Sequence, residues 1–261
     1  MKNNALRALI VVIALTLALS SFGGTPWKAN SQVMTAPALA AGVLPDDKPV
    51  DAATALKWLV EGNERWRGTM EKRNWAEERK ETAGGQHPFA VVIACMDSRV
   101  PPELIFDQGL GAIFVIRVAG PVLNSDELAS LEYALVYKKV KLVVVLGHTD
   151  CGAVASAVDR APGVYVPELL DKIEPAIRFV SDKYNGGKRI TTADKKDLSR
   201  VSSENARFVR DRILSKPALR ERGVKVTWGL YYVGCGRVAI EPDDVEYPEP
   251  DPCPRPKPLP R

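Results

Sequence analysis

The sequence has few of the residues on which cross-linking and much enzyme chemistry depend. Only four cysteines and two histidines occur among its 261 residues. Four cysteines in a chain of this length do not indicate a disulfide scaffold, and a domain of this size does not need one. No two cysteines form a Cys-x-x-Cys pair, which is the usual motif of thiol redox proteins, so that function is disfavoured.

Clustered basic residues and internal repeats are also lacking. The net charge is +4, and the first forty residues contain three of the positive charges, Lys2, Arg7 and Lys28, and no acidic residue. Without that segment the net charge is +1. Because a nucleic-acid surface would show as clustered basic residues, no nucleic acid is expected as a partner.

The apolar run near the N-terminus is too short to span a bilayer comfortably. It covers residues 8–20, about 13 residues, whereas a membrane span needs about 20. It follows Lys2 and Arg7, an order typical of a secretory signal peptide. We therefore predict a signal peptide and leader over 1–40, cleavage after Ser20 or Ala40, a periplasmic or secreted protein, and no stable membrane span after leader removal. An uncleaved anchor remains the alternative.

The rest of the chain divides by composition into three segments. Residues 41–52 are predicted to be a linker, 53–243 an α/β domain, and 244–261 an extended tail, because prolines are dense there. The domain begins with an amphipathic helix over 53–67, with a break expected near Gly62.

Short apolar runs predict a central, mostly parallel β-sheet of about four strands. These runs cover 89–95, 112–118, 142–148 and 224–233. The first three are continuous and β-branched, as is typical of strands buried on both faces. A helix that starts at Asn124 joins the second run to the third as a βαβ crossover. Flanking helices over 166–184 and 197–214, and an antiparallel edge strand over 237–241, complete the predicted α/β fold.

Candidate metal ligands end two of these strands. Cys95 closes the first run, His148 closes the third, and Cys151 follows in GHTDCGAV. Because ligands bind at the carboxyl ends of strands in open α/β sheets, these side chains are expected to meet. Two thiolates and an imidazole suit Zn²⁺ and leave one tetrahedral position free, the pattern of catalytic zinc. The alternative is that each cysteine is only a small buried apolar residue. His87 is expected in an exposed loop.

Asp97 and Arg99 follow the first candidate ligand in CMDSRVPPE. A bidentate pair between them would keep the Asp97 carboxylate ionised. Held in this way, Asp97 has no proton to give and can only accept a hydrogen bond from zinc-bound hydroxide. A free Asp97 could instead take the fourth metal position. An ordinary salt bridge in a turn is the simpler alternative.

CMDSRVPPE together with GHTDCGAV resembles the Cys-x-Asp-x-Arg and His-x-x-Cys-Gly motifs of the β-class carbonic anhydrases, and the similarity extends over about 53–241. The resemblance implies a zinc enzyme, with one Zn²⁺ per chain, that interconverts carbon dioxide and bicarbonate. It assigns the two cysteines and the histidine of the motifs to zinc. Asp97 and Arg99 become the catalytic dyad.

The same resemblance implies substrate contacts and an assembly. Gln108, in IFDQGLGAIF, resembles the family glutamine that donates a hydrogen bond to substrate, and Gly152 of the second motif is assigned to the substrate site with it. Members are typically dimers or multiples of dimers, with the N-terminal helix on the partner subunit. A homodimer or tetramer is therefore expected, in which Trp58, Trp66 and Trp75 are buried against the partner.

Four positions depart from the family pattern. Met96 replaces a common Ser or Gly, and Pro121 replaces a common Asn, which removes a backbone donor near the cleft. Val92 stands where bicarbonate-inhibited members carry Trp, so no such allosteric site is predicted. Cys235 replaces Thr or Ser, and it could pair with Cys253 in an oxidising compartment.

Two other functions of the same fold stay open. A non-catalytic zinc protein would use the metal for stability alone, but such a site does not need the Asp97–Arg99 pair. An enzyme that hydrolyses carbon disulfide or carbonyl sulfide would use the same metal ligands, because the difference would lie in the access route.

Overall fold

The computed structural model describes residues 49–245, apart from 69 and 71. All of these residues belong to one compact unit, Val43–Arg261. The predicted signal peptide with its cleavage sites, most of the predicted tail, and Cys253 lie outside the described residues. Within the described part, no helix is both long and apolar enough to cross a membrane.

The domain contains both helices and strands. The helices are α1 Ala52–Arg67, α2 Trp75–Glu81, α3 Pro102–Ile105, α4 Ser125–Tyr137, α5 Gly152–Asp159, α6 Val166–Leu170, α7 Glu174–Tyr184, α8 Lys195–Leu214 and α9 Pro217–Arg220. The strands are β1 Ala90–Ala94, β2 Ile113–Arg117, β3 Leu142–His148, β4 Lys225–Tyr231 and β5 Val238–Ile240.

The strands form one sheet in the order β2-β1-β3-β4-β5. The first four are parallel, and β5 pairs antiparallel with β4. This confirms the predicted α/β fold with an antiparallel edge strand. The prediction that β2 is buried on both faces is wrong: most of its residues are only partly buried. The reason is its position at the other edge of the sheet, where β1 is its only strand neighbour among the described residues.

Alternate residues of the central strands pack against two different helical layers. Val92 and Val144 pack with Leu59 of α1 on one face. Val91 and Val143 face the opposite layer, which is formed by α4 and α8. A third apolar cluster, from α5, α7 and α8, contains both cysteines of the candidate metal site. The core therefore extends up to the carboxyl edge of the sheet.

The region predicted as one helix over 166–184 is two helices, α6 and α7, separated by residues 171–173. Pro175 lies in the first turn of α7. Proline has no backbone N–H and fits only the first turn of a helix, so a new helix starts there. The predicted start of α4 at Asn124 is confirmed, and a capping box holds it: the Asn124 N–H donates to the Glu127 carboxylate at 2.7 Å.

Helix α1 runs through Gly62 without the predicted break. A Cβ atom at Gly62 would lie 1.8 Å from the main-chain oxygen of Phe106. The glycine is therefore needed for close packing of α1 on the segment after α3, and the expectation of a break was wrong.

Replacing Gly62 by alanine is expected to destabilise the fold by about 1–3 kcal/mol or more. The added methyl group would force α1 away from the main chain of Phe106. Gly84→Ala is the matched control, since its new Cβ would meet nothing within 4 Å, and it should change stability by less than about 0.5 kcal/mol. Urea unfolding of both variants measures the difference. Equal midpoints for the two would contradict the packing account.

The end of the described chain packs against α8. Both Asp244 carboxylate oxygens accept hydrogen bonds from Arg200, each at 2.9 Å. Val245 is buried beside Leu230 and Tyr232. The first two residues of the predicted tail thus contact the domain.

The Arg200 guanidinium holds the pKa of Asp244 at about 2, below its ordinary value of 3.8. A carboxyl group with a depressed folded pKa stabilises the fold above its unfolded pKa, and this contribution is lost as pH falls through the folded pKa. Asp244→Asn should therefore lower stability at pH 7 by less than about 1 kcal/mol, because the pair is partly exposed. Unfolding curves should show this difference shrinking between pH 4 and pH 2. A difference independent of pH would contradict the assignment.

Candidate functional site

Three buried side chains meet at the carboxyl edge of β1 and β3. Cys95 directly follows β1, His148 is the last residue of β3, and Cys151 caps the start of α5. The strand ends are neighbours because Ala94 pairs with Leu146 in the parallel ladder. The sulfur and ring nitrogen atoms of the three side chains lie within 4.8 Å of one another. The structure thus brings together the side chains predicted to bind metal.

Hydrogen bonds fix the ring of His148. Its Nδ1 lies 2.9 Å from the main-chain oxygen of Thr149. A carbonyl oxygen only accepts, so Nδ1 carries the proton and Nε2 has a free lone pair. Nε2 is buried and has no hydrogen-bond partner among the described residues. An unpaired buried acceptor costs free energy, whereas a metal ligand needs a lone pair in this position.

The two thiols titrate as a pair. A hydrogen bond from Cys151, together with one from the Gly120 N–H, outweighs burial and lowers the pKa of Cys95 to about 4. The neighbouring Cys95 and burial raise the pKa of Cys151 well above its ordinary value. The pair by itself favours a single thiolate. A divalent cation supplies the charge that allows two, so this donor set fits a metal.

Asp97 and Arg99 form the predicted bidentate pair. Arg99 Nε donates to Asp97 Oδ1 at 3.0 Å, and Arg99 Nη2 donates to Oδ2 at 2.8 Å. The Arg99 backbone N–H also donates to Oδ1, at 2.9 Å. These bonds lower the pKa of Asp97 to about 2. Asp97 is therefore an ionised acceptor, and it is turned towards Arg99.

Arg117, the last residue of β2, holds the loop between the first thiol and the dyad. Its Nε donates to the Cys95 carbonyl at 3.0 Å, and its Nη2 donates to the Asp97 carbonyl at 2.5 Å. Sequence patterns did not single out this residue. A charged residue that ends an apolar strand run was the available signal.

The positions of the two predicted substrate residues, Gln108 and Gly152, do not test their assignment. Gln108 Nε2 donates to the Phe106 carbonyl of its own turn at 2.7 Å. Among the described hydrogen bonds, none joins Gln108 to the three clustered side chains. Gly152 begins α5, and an added Cβ there would meet nothing within 4 Å. Both assignments stay predictions. His87 is exposed in the loop before β1, as expected.

Comparison with known proteins decides the family. A family model described as carbonic anhydrase matches residues 90–238. The carbonic anhydrase of Mycolicibacterium smegmatis is 34% identical over 215 residues, which cover 76% of this chain and 95% of that protein. The solved structure of the β-carbonic anhydrase CcaA has a TM-score of 0.58 at 27% identity, covering 71% of this chain and 94% of that one. The chain belongs to the β-carbonic anhydrase family.

Membership confirms the resemblance and agrees with the predicted enzyme class. Tetrameric β-carbonic anhydrases from Sordaria macrospora share the fold of this chain, with a TM-score of 0.57 at 24% identity, covering 74% of this chain and 100% of that one. The similarity to this second structure concerns the fold alone.

Proposed function

We propose that this β-carbonic anhydrase catalyses the reversible hydration of carbon dioxide to bicarbonate and a proton, with one Zn²⁺ held by Cys95, His148 and Cys151. The observation that carries the proposal is the buried Nε2 of His148, which has no hydrogen-bond partner among the described residues and lies beside two clustered thiols. Two thiolates and a neutral imidazole suit zinc, and three protein ligands are the pattern of catalytic rather than structural sites.

The dyad orients the attacking water molecule. When bound, zinc would supply the Lewis acidity that activates water as a nucleophile. Because two thiolates offset the charge of the metal, we expect hydration to rise into alkaline pH. The Asp97 carboxylate would accept a hydrogen bond from an O–H of the attacking water and so turn an oxygen lone pair towards the carbon of the substrate. Because the pKa of Asp97 is about 2, the carboxylate stays ionised, and so remains a hydrogen-bond acceptor, at neutral and alkaline pH. Gln108 and Gly152 are proposed as substrate contacts by resemblance.

A second copy of the chain is the proposed partner, in a homodimer or a larger assembly of dimers. Trp58 and Trp75 on the N-terminal helices are 41% and 46% exposed, and tryptophan is enriched at protein–protein interfaces. Trp66 packs against the core of its own chain. An apolar pocket lies beside the edge strand β2 and is lined in part by Phe114, Ile116 and Tyr133. It offers a further surface for contact with the second copy.

Location and processing are proposed from the sequence alone. A leader over 1–40, export to the periplasm or medium, and a domain over 53–243 remain expectations. The Cys235–Cys253 disulfide is likewise a prediction, because Cys253 lies outside the described residues.

Stopped-flow hydration of carbon dioxide at about pH 8.5, with the zinc content measured in the same sample, tests the proposed function. We expect hydration with about one zinc per chain, loss of activity on chelation, and its return with added zinc. Full zinc occupancy without hydration would overturn the proposal. In that case hydrolysis of carbon disulfide and carbonyl sulfide would identify the other substrate class.

A further inference from the structure

The segment between β2 and α4 places a peptide N–H against the sulfur of Cys95. The N–H of Gly120 donates to Cys95 Sγ at 3.4 Å. Gly120 has a left-handed φ of +69°, and a Cβ there would lie 2.6 Å from Ile173 Cδ1 and 3.2 Å from Ala153 Cβ. Both the backbone conformation and the lack of space therefore require glycine at this position.

A buried side chain on α8 fixes this turn. Asn205 Nδ2 donates to the Gly120 carbonyl at 2.7 Å, and Asn205 is 2% exposed. The next residue, Pro121, has no N–H, so it cannot help to orient the turn through a backbone donor. The Asn205 amide therefore holds the carbonyl of the same residue whose N–H faces the sulfur.

The same face of α8 also contacts the backbone of His148, a second candidate metal ligand. Ser202, three residues before Asn205, accepts a hydrogen bond from the His148 N–H at 2.9 Å. Residues three apart on a helix lie on one face. Helix α8 therefore supports the segments of both Cys95 and His148 from one side.

We propose that Asn205 is a positioning residue for the metal site, acting through Gly120 to aim a peptide N–H at the Cys95 thiolate. The inference rests on the proposed metal binding by Cys95, His148 and Cys151. A hydrogen bond to a ligating sulfur fixes its direction and withdraws electron density from it. Loss of such an outer partner typically weakens metal binding about 10–100-fold.

The test uses the full-length protein loaded with Co²⁺ in place of Zn²⁺, together with Zn²⁺ affinity from competition with a chromophoric chelator. Asn205→Ala should move the thiolate-to-cobalt charge-transfer band to longer wavelength, because a sulfur without its hydrogen bond donates electrons more easily. Its Zn²⁺ affinity should fall about 10–100-fold. If this variant does not fold, Asn205→Ser, whose hydroxyl is too short to reach Gly120, should give the same two changes.

Asn63→Ala is the matched control. Asn63 is equally buried, at 3% exposure, and its side chain bonds the main chain of Ile105, Gly236 and Val238. It should lower stability but leave the cobalt band and the zinc affinity unchanged. A folded Asn205 variant with an unchanged band and affinity would overturn the positioning role. Failure of the unsubstituted protein to bind either metal would instead overturn the proposed function on which the inference rests.

Discussion

Replacing Cys151 by alanine is expected to remove the bound metal and, with it, the hydration of carbon dioxide. The substitution leaves one thiol and one imidazole, which are too few to hold a divalent cation firmly. Since loss of an outer partner alone costs about 10–100-fold in metal affinity, loss of a ligand should cost more than about 100-fold. Metal content after dialysis and stopped-flow hydration, measured on the same sample, give both results.

Cys235→Ala is the matched control for this prediction. Cys235 lies between β4 and β5 and is not a member of the three-residue cluster, so its loss should leave metal content and activity unchanged. A Cys151→Ala protein that keeps a full complement of zinc and its hydration rate would show that the cluster is not the metal site.

Replacing Arg99 by alanine is expected to reduce hydration at least about 100-fold while zinc is retained. The carboxylate of Asp97 would lose the two guanidinium hydrogen bonds that fix it, and its pKa would rise from about 2 towards the ordinary 3.8. A carboxylate free to turn no longer orients the attacking water, and positioned acid–base groups typically contribute about 10²–10⁴-fold. Hydration rate and zinc content are the two measurements.

One further variant separates geometry from charge, and a second is a control at an exposed arginine on another helix. Arg99→Lys keeps the charge but not the bidentate geometry, so it should recover only part of the activity. Arg178→Ala removes an exposed arginine that pairs with Glu174 on α7, and it should leave activity unchanged. An Arg99→Ala protein that lost its zinc would make Arg99 a structural residue, and one with normal activity would exclude the dyad.

Local sequence patterns were sufficient for the sheet and for the main side chains of the site. The apolar runs that end at Cys95 and His148 mark strand ends, and parallel strands of one sheet present those ends at a single edge. Asp97 and Arg99 are two residues apart, so their pairing is a local property of one turn. The motifs therefore predicted both the clustering of Cys95, His148 and Cys151 and the Asp97–Arg99 pair.

The remaining features depend on contacts between distant segments. Gly62 looks like a helix breaker locally, and only its closeness to Phe106 shows that the glycine serves packing. The partial burial of β2 follows from strand order, which a run of apolar residues does not encode. Asn205 is 85 residues from Gly120 in the chain, so its support of the Cys95 segment is visible only in the folded structure.

The central claim is that hydration requires one zinc ion at the Cys95–His148–Cys151 cluster. Titrating the metal-free protein with Zn²⁺ while following carbon dioxide hydration tests it most directly. The predicted result is activity that rises linearly with added zinc and stops rising at one equivalent per chain. Full activity before any zinc is added, or no activity after one equivalent has bound, would contradict the claim.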